Sequence, residues 1–213
     1  MQAFIRNDQY NNIKEQVQQL VNSSAVVKDI DVIYGLRSLA EDKIMKRFEE
    51  LSRDEAEMLG RIRDVQDEID AELFLAQLRP SIKPFPILTE QQLKKLFPKV
   101  KQLHLPKLEE VDWEKTSYLG WNDNGQQAKY MVAPHEKEMI AIRGTITPSS
   151  QPGICAICNK LESVGLFMAD SISRGQGTYV KRGNYVCRDS AKCNRNLTDI
   201  NRFYSFISHL YAS

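Results

Sequence analysis

No uninterrupted apolar run in this sequence approaches the roughly 20 residues of a membrane-spanning helix, and the opening "MQAFIRNDQYNN" lacks the apolar core of a secretory signal. A cytoplasmic protein is expected. The phosphate-binding pattern GxxxxGK[ST] is absent and no Ser/His/Asp set is recognisable, so neither nucleotide hydrolysis nor serine-type acyl transfer has a motif behind it. Histidine is scarce: His104, His135 and His209 are the only three, and none has ligand spacing to a cysteine pair. Cysteine is scarce too, and all four, Cys155, Cys158, Cys187 and Cys193, fall in the last third of the chain. In a reducing compartment they are not read as structural disulfides. Internal repeats and low-complexity tracts are also missing.

What is present reads as a folded protein. Apolar residues make up 42% of the 213 and charged residues 27%, which excludes an intrinsically disordered chain. The net charge of +1 hides an asymmetry: residues 1–80 hold 11 Lys and Arg against 16 Asp and Glu, and residues 81–213 hold 18 against 12. A mildly basic second half suits an acidic partner surface or nucleic acid.

Tyr10, Ile13, Val17, Leu20 and Val21 recur at three- and four-residue steps and predict an amphipathic helix over Asp8–Asn22. A second helix is expected from about Asp29 to Leu51, through Ile33, Leu36, Ala40, Ile44 and Phe48. "SRDE" at Ser52–Glu55 is a capping box. It opens a third helix whose stripe runs Met58, Leu59, Ile62, Val65, Ile69, Leu73 and Ala76 and stops before Pro80. Residues 1–80 therefore read as an antiparallel helical bundle.

Three prolines in "RPSIKPFPIL" remove backbone donors and enforce extended chain, which places a domain boundary there. Beyond it, Thr89 with Gln92 caps a short helix ending near Phe97. "SYLGW", "KYMVA" and "EMIAIRGTI" then follow with strand composition, separated by the turn formers "NDNG" and "PHEK". Residues 81–213 read as an α/β domain with a small antiparallel sheet, and the whole chain as α+β.

"GICAIC" sets Cys155 and Cys158 two residues apart after Gly153, the spacing of a zinc knuckle. Twenty-eight residues separate Cys158 from Cys187, and they include "VGLFM" and "TYVKRGNYVC", the latter read as a hairpin turning at Arg182–Gly183–Asn184. Cys193 falls where a helix begins. Knuckle, hairpin and helix N-terminus are the layout of a treble-clef zinc finger, here spanning about 150–213. Four thiolates close a tetrahedral zinc site, and a closed site is structural rather than catalytic, because it has no position open to water or substrate.

In the last helix, Leu197, Ile200, Phe203, Tyr204, Ile207, Leu210 and Tyr211 project onto one broad face, with Phe206 at its edge or outside it, a candidate exposed aromatic. The expected hairpin tip adds Lys181, Arg182 and Tyr185. A basic, aromatic-bearing knob on a rigid scaffold suits partner recognition.

"YLGWND", "GICAICNK", "LFM", "GTYVKRGNYVCRDSAKCN" and "NLTDINRFYSFI" together closely resemble the FusB-type fusidic acid resistance proteins, the elongation factor G-binding proteins. The resemblance implies an N-terminal helical bundle followed by an α/β domain with a four-cysteine treble clef, and Cys155, Cys158, Cys187 and Cys193 as ligands of one zinc ion. It implies elongation factor G as partner, the ribosome being engaged only indirectly, and release of the factor when fusidic acid stalls it there, giving resistance or tolerance. It further implies a monomeric, non-enzymatic protein without a small-molecule substrate, contacting its partner through Arg182, Tyr185 and Phe206. One position departs from the family pattern: Ile154 stands where an aromatic precedes the first cysteine. Two other readings compete. An RNA- or ribosome-binding zinc module would use the basic second half, and a zinc enzyme would need an open metal site.

Overall fold

The structure is a computed structural model that describes residues 2–136, 138–170 and 182–211. It divides into two compact units, Met1–Lys83 and Pro84–Ser213.

In the first unit α1 (Asn7–Ser24) buries Ile13, Val17, Leu20 and Val21, the stripe that its three- and four-residue spacing predicts. It packs against α2 (Ile30–Met45) and α4 (Glu68–Leu78). The Asp29 carboxylate caps α2 by accepting from the Asp31 N–H at 3.0 Å. α2 ends six residues before the predicted Leu51. Phe48 and Leu51 still pack on the core, but from the connection that follows the helix.

The Ser52 capping box forms: Ser52 Oγ accepts the Glu55 N–H at 3.3 Å, and the Glu55 carboxylate accepts the Ser52 N–H at 2.8 Å. The single helix expected after it is in fact two. α3 (Arg53–Gly60) tightens into a 3-10 turn over Arg61–Asp64, and the chain restarts as α4 behind Asp67, whose carboxylate accepts from Ile69 and Asp70 at 2.9 and 3.0 Å. The restart changes the helical phase. Ala71, Phe74 and Leu78 turn inward, while Ile69 and Leu73, on the predicted buried stripe, are 68% and 58% exposed. The unit closes on itself where Phe4 and Ile5 donate to the Ser81 carbonyl and Lys83 donates to that of Ile5 at 2.8 Å.

The second unit starts with α5 (Glu90–Leu96), capped by Thr89 and Gln92 as the sequence predicts. Its centre is a five-stranded antiparallel sheet in the order β1-β2-β3-β6-β7, from β1 (Leu119–Asp123), β2 (Ala128–His135), β3 (Glu138–Pro148), β6 (Val164–Ala169) and β7 (Gly183–Cys187). A separate ribbon pairs β4 (Gly153–Ile154) with β5 (Leu161–Glu162). β2 is buried over six consecutive residues because both faces of the sheet are covered. Ala128, Tyr130 and Val132 join Trp121, Leu93 and Phe97 in one core. Met131 and Ala133 point the other way, into a core shared with the four cysteines and with α7 (Asn201–Tyr211).

The hairpin expected to turn at Arg182–Gly183–Asn184 is not formed there. Gly183 and Asn184 are strand residues of β7, opposite Met168 and Phe167 of β6. Glycine at 183 reflects close approach rather than a turn, since a Cβ there would lie 2.2 Å from Met168 Sδ and 2.3 Å from the Phe167 carbonyl oxygen. The "TYVK" part of that expectation lies outside the described residues.

Candidate metal centre

Each cysteine is placed by a different device. Cys155 and Cys158 sit in the tight connection between β4 and β5, which is closed by Cys155 N–H to the Lys160 carbonyl at 3.0 Å and Asn159 N–H to the Cys155 carbonyl at 2.9 Å. Asn159 takes the left-handed conformation at φ 56°, which asparagine tolerates. Cys187 ends β7. Cys193 lies on α6 (Ser190–Asn196), whose cap Asp189 accepts the Lys192 N–H at 3.0 Å.

The four sulfurs lie within 4.8 Å of one another and all four residues are buried. Cys155 and Cys193 are 3.8 Å apart and Cys158 and Cys187 3.6 Å. A tetrahedron of sulfurs about 2.3 Å from a zinc ion has edges of about 3.8 Å, so the donor set fits the ion. Backbone N–H groups of Ile157 and Cys187 point at Cys155 Sγ at 3.4 and 3.3 Å, as expected around a thiolate. Without a cation the group cannot hold four negative charges: hydrogen bonding from Cys158 holds the Cys155 thiol far down, while bonding to Cys155 drives Cys187 and Cys193 up. The centre is a closed, four-thiolate site for one structural zinc ion.

Three residues that the sequence did not single out tie this centre to the sheet. Asn194, next to a ligand, accepts the Ser117 and Tyr118 N–H groups and donates to the Tyr118 and Ser190 carbonyls. Tyr118 is fully buried and stacks on Phe203 at 4.8 Å. Among the described residues its hydroxyl has no oxygen or nitrogen partner, and burial followed by the nearby Cys193 sulfur raises its pKa well above the usual tyrosine value. Lys129 is also fully buried. Its Nζ donates to Ser190 Oγ at 2.7 Å and to the Arg188 carbonyl at 3.2 Å, both in the segment between Cys187 and Cys193. Burial lowers its pKa to about 8 despite the opposing thiolates. A lysine between Ala128 and Tyr130 in an apolar strand is the one signal that could have found it.

A model of the family described as "FBP C-terminal treble-clef zinc-finger" matches residues 97–203, and one described as "Elongation factor G-binding protein, N-terminal" matches residues 4–86. The chain belongs to the elongation factor G-binding protein family. A solved chain described as "Structure of the fusidic acid resistance protein FusC" is 34% identical, with 98% of each chain covered and a TM-score of 0.84. A comparison with curated proteins found no match.

Of the surface residues that the family resemblance points to, Tyr185 is 46% exposed and lies beside the knuckle, its carbonyl accepting the Ala156 N–H at 2.8 Å. Ile154 and Leu161 of the ribbon are exposed nearby in the chain's fold, at 57% and 67%. Arg182 is half-buried on the wall of a cleft of about 770 Å³ that Arg202, His209 and Phe206 also line. Lys181 lies outside the described residues. Phe206 is not the exposed aromatic that the projection suggested: it is 5% exposed and packs against Phe167 at 5.9 Å. The projection treated Leu197 and Ile200 as part of the last helix, but α6 ends at Asn196 and α7 begins at Asn201. Counted within α7 alone, Phe203, Phe206, Ile207 and Leu210 form an i, i+3, i+4, i+7 stripe, and all four are buried.

Among the described residues no helix is long and apolar enough to cross a membrane.

Proposed function

We propose that this protein binds elongation factor G through the zinc-bearing end of its second unit and promotes the factor's release from ribosomes stalled by fusidic acid, so conferring resistance or tolerance. The observation that carries the reading is the full-length likeness to FusC, 34% identical over 98% of both chains. It is supported by a rigid metal-anchored scaffold that leaves Ile154, Leu161 and Tyr185 exposed, apolar and aromatic groups of the kind that contribute most at protein interfaces. Arg182 extends the proposed contact, and Lys181 precedes it in sequence.

Release needs no chemistry. A binder displaces its partner from the ribosome if it favours a conformation that the ribosome-bound, drug-locked state excludes, and the differential affinity sets how far the equilibrium moves. Four thiolates fill the zinc coordination sphere, so the metal offers no site for substrate. On this reading the protein is a non-enzymatic cytoplasmic monomer that meets the ribosome only through its partner.

The test is a reconstituted one. Elongation factor G is locked on ribosomes with fusidic acid and GDP, and ribosome-bound factor is measured after pelleting, with and without this protein. The bound fraction is expected to fall in a dose-dependent way. An unchanged bound fraction at saturating protein would sink the proposal.

A further inference from the structure

On the sheet face opposite the zinc lobe, the chain from Gln91 to Leu108 carries five lysines and not one aspartate or glutamate. Two of the five are neutralised locally, Lys94 by Glu90 at 3.2 Å and Lys107 by Glu110 at 2.7 Å. Lys95, Lys99 and Lys101 are exposed and have no ion pair among the described residues. Lys99 and Lys101 line a cleft of about 560 Å³ together with His104, Gln126 and Arg143, the last paired with Asp170 at the rim.

Between the end of α5 at Leu96 and Leu108 the segment is held in place despite having no regular structure. The Trp121 indole N–H donates to the His104 carbonyl at 2.9 Å, the Gln126 side chain donates to the Gln102 carbonyl at 2.8 Å, and His104 Nδ1 lies 2.9 Å from the buried Asp123 carboxylate. Val100 and Leu103 pack inward on the core, so the lysines flanking Val100 are presented outward from a fixed base. Pre-set cations lose less freedom when they meet an anion.

The surface around them is unlike the zinc end. No large hydrophobic residue between Ile87 and Ile154 is among the strongly exposed ones, whereas Ile154, Leu161 and Tyr185 all are. Protein interfaces draw their energy from buried apolar and aromatic anchors, and among the described residues 85–113 only Ile87 is a strongly exposed large hydrophobic. Interfaces with nucleic acid are polar, wet and positively charged. The helix on this face, α5, spans only Glu90–Leu96 and packs Leu93 fully into the core, which leaves contact with the phosphate backbone.

We propose that the Lys95, Lys99 and Lys101 face is a second binding surface, for the phosphate backbone of RNA, separate from the zinc end. It lies outside the cysteine-bearing segment 155–193 and does not depend on the contact with elongation factor G, so the two readings fail separately.

The experiment uses the full zinc-loaded chain and a fluorescein-labelled RNA duplex of about 16 base pairs, with binding followed by anisotropy between about 50 and 200 mM salt. Wild type is expected to bind at the low end and to weaken linearly on a log–log plot. The triple variant Lys95→Gln, Lys99→Gln, Lys101→Gln should bind at least about tenfold more weakly, with the slope shallower by about 2 to 3, the value for three lost phosphate contacts. The matching triple Lys→Arg variant should restore both, and Tyr185→Ala should leave both unchanged. Absence of RNA binding by wild type, or an unchanged slope in the Gln variant, overturns the proposal. So does a Gln variant that keeps RNA but loses elongation factor G, which would make the face a protein-docking surface.

Discussion

The side-chain amide of Asn194 closes a two-way bond with the backbone of Tyr118: its Oδ1 accepts the Tyr118 N–H at 3.1 Å and its Nδ2 donates to the Tyr118 carbonyl at 2.8 Å. One residue from a zinc ligand, it therefore fastens α6 to the start of β1. Both partners are buried, so truncation strands several polar groups away from water, each costing about 1–3 kcal/mol. Asn194→Ala is expected to destabilise the second unit by roughly 3 kcal/mol and to speed zinc release to a coloured chelator. An unchanged denaturation midpoint would show that water replaces the amide at no cost.

Tyr185 and Phe206 are separated by burial into two different tests. Phe206 packs on Phe167 inside the core, so Phe206→Ala should cost about 3–5 kcal/mol, as for other buried Phe truncations. Any loss of partner binding in that variant would then include loss of fold. Tyr185→Ala removes an exposed ring and should leave stability within about 0.5 kcal/mol. Calorimetry with elongation factor G is expected to show at least about a tenfold weaker complex for Tyr185→Ala, a loss of about 1.4 kcal/mol. Wild-type affinity in this variant would remove Tyr185 from the interface.

Much of the architecture is written in local chemistry. The Ser52 and Thr89 capping boxes, the first helix and the first three strands follow from residues a few positions apart, and these features form as their patterns predict. The metal site was legible because ligand spacing is a local constraint as well. What was not legible depends on distant partners or on competing local signals. "RGN" is a turn by composition, yet Gly183 is a strand residue because β6 presses against it. The stripe over residues 58–76 reads as one helix until Asp67 is recognised as a second cap. Lys129 is polar in an apolar strand, and only the fold shows that its amine reaches the segment carrying two ligands.

Lys129 gives a prediction with a definite sign. Burial, the largest effect, lowers its pKa from 10.5 to about 8 in the fold. Between these values the unfolded chain binds a proton that the folded chain does not, so stability rises with pH across that window. The penalty for the buried charge is fully present below pH 8 and fades above it. Lys129→Met lacks this titration. Comparing urea midpoints at pH 7 and at about pH 9.5, wild type should gain about 2 kcal/mol relative to the variant, 1.36 kcal/mol per pH unit above 8. A difference that does not move with pH would mean that Lys129 keeps an ordinary pKa beside the zinc thiolates.

Zinc removal should act on one unit and spare the other. The four cysteines belong to the same core as Tyr118, Phe167 and Phe203, so losing the ion leaves four mutually repelling or reprotonated sulfurs in the middle of that packing. The helices of the first unit have a core of their own, built on Ile13, Leu59, Ile62 and Leu78. Chelation, or Cys193→Ser, is expected to abolish one equivalent of bound zinc and to collapse near-ultraviolet dichroism from the buried aromatic residues of the second unit. Most helical far-ultraviolet signal should persist, since the longest helices lie in the first unit. Acid should do the same as the chelator, because protons compete with the metal for thiolate. Retention of the near-ultraviolet signal in fully metal-free protein would make the ion dispensable for this fold.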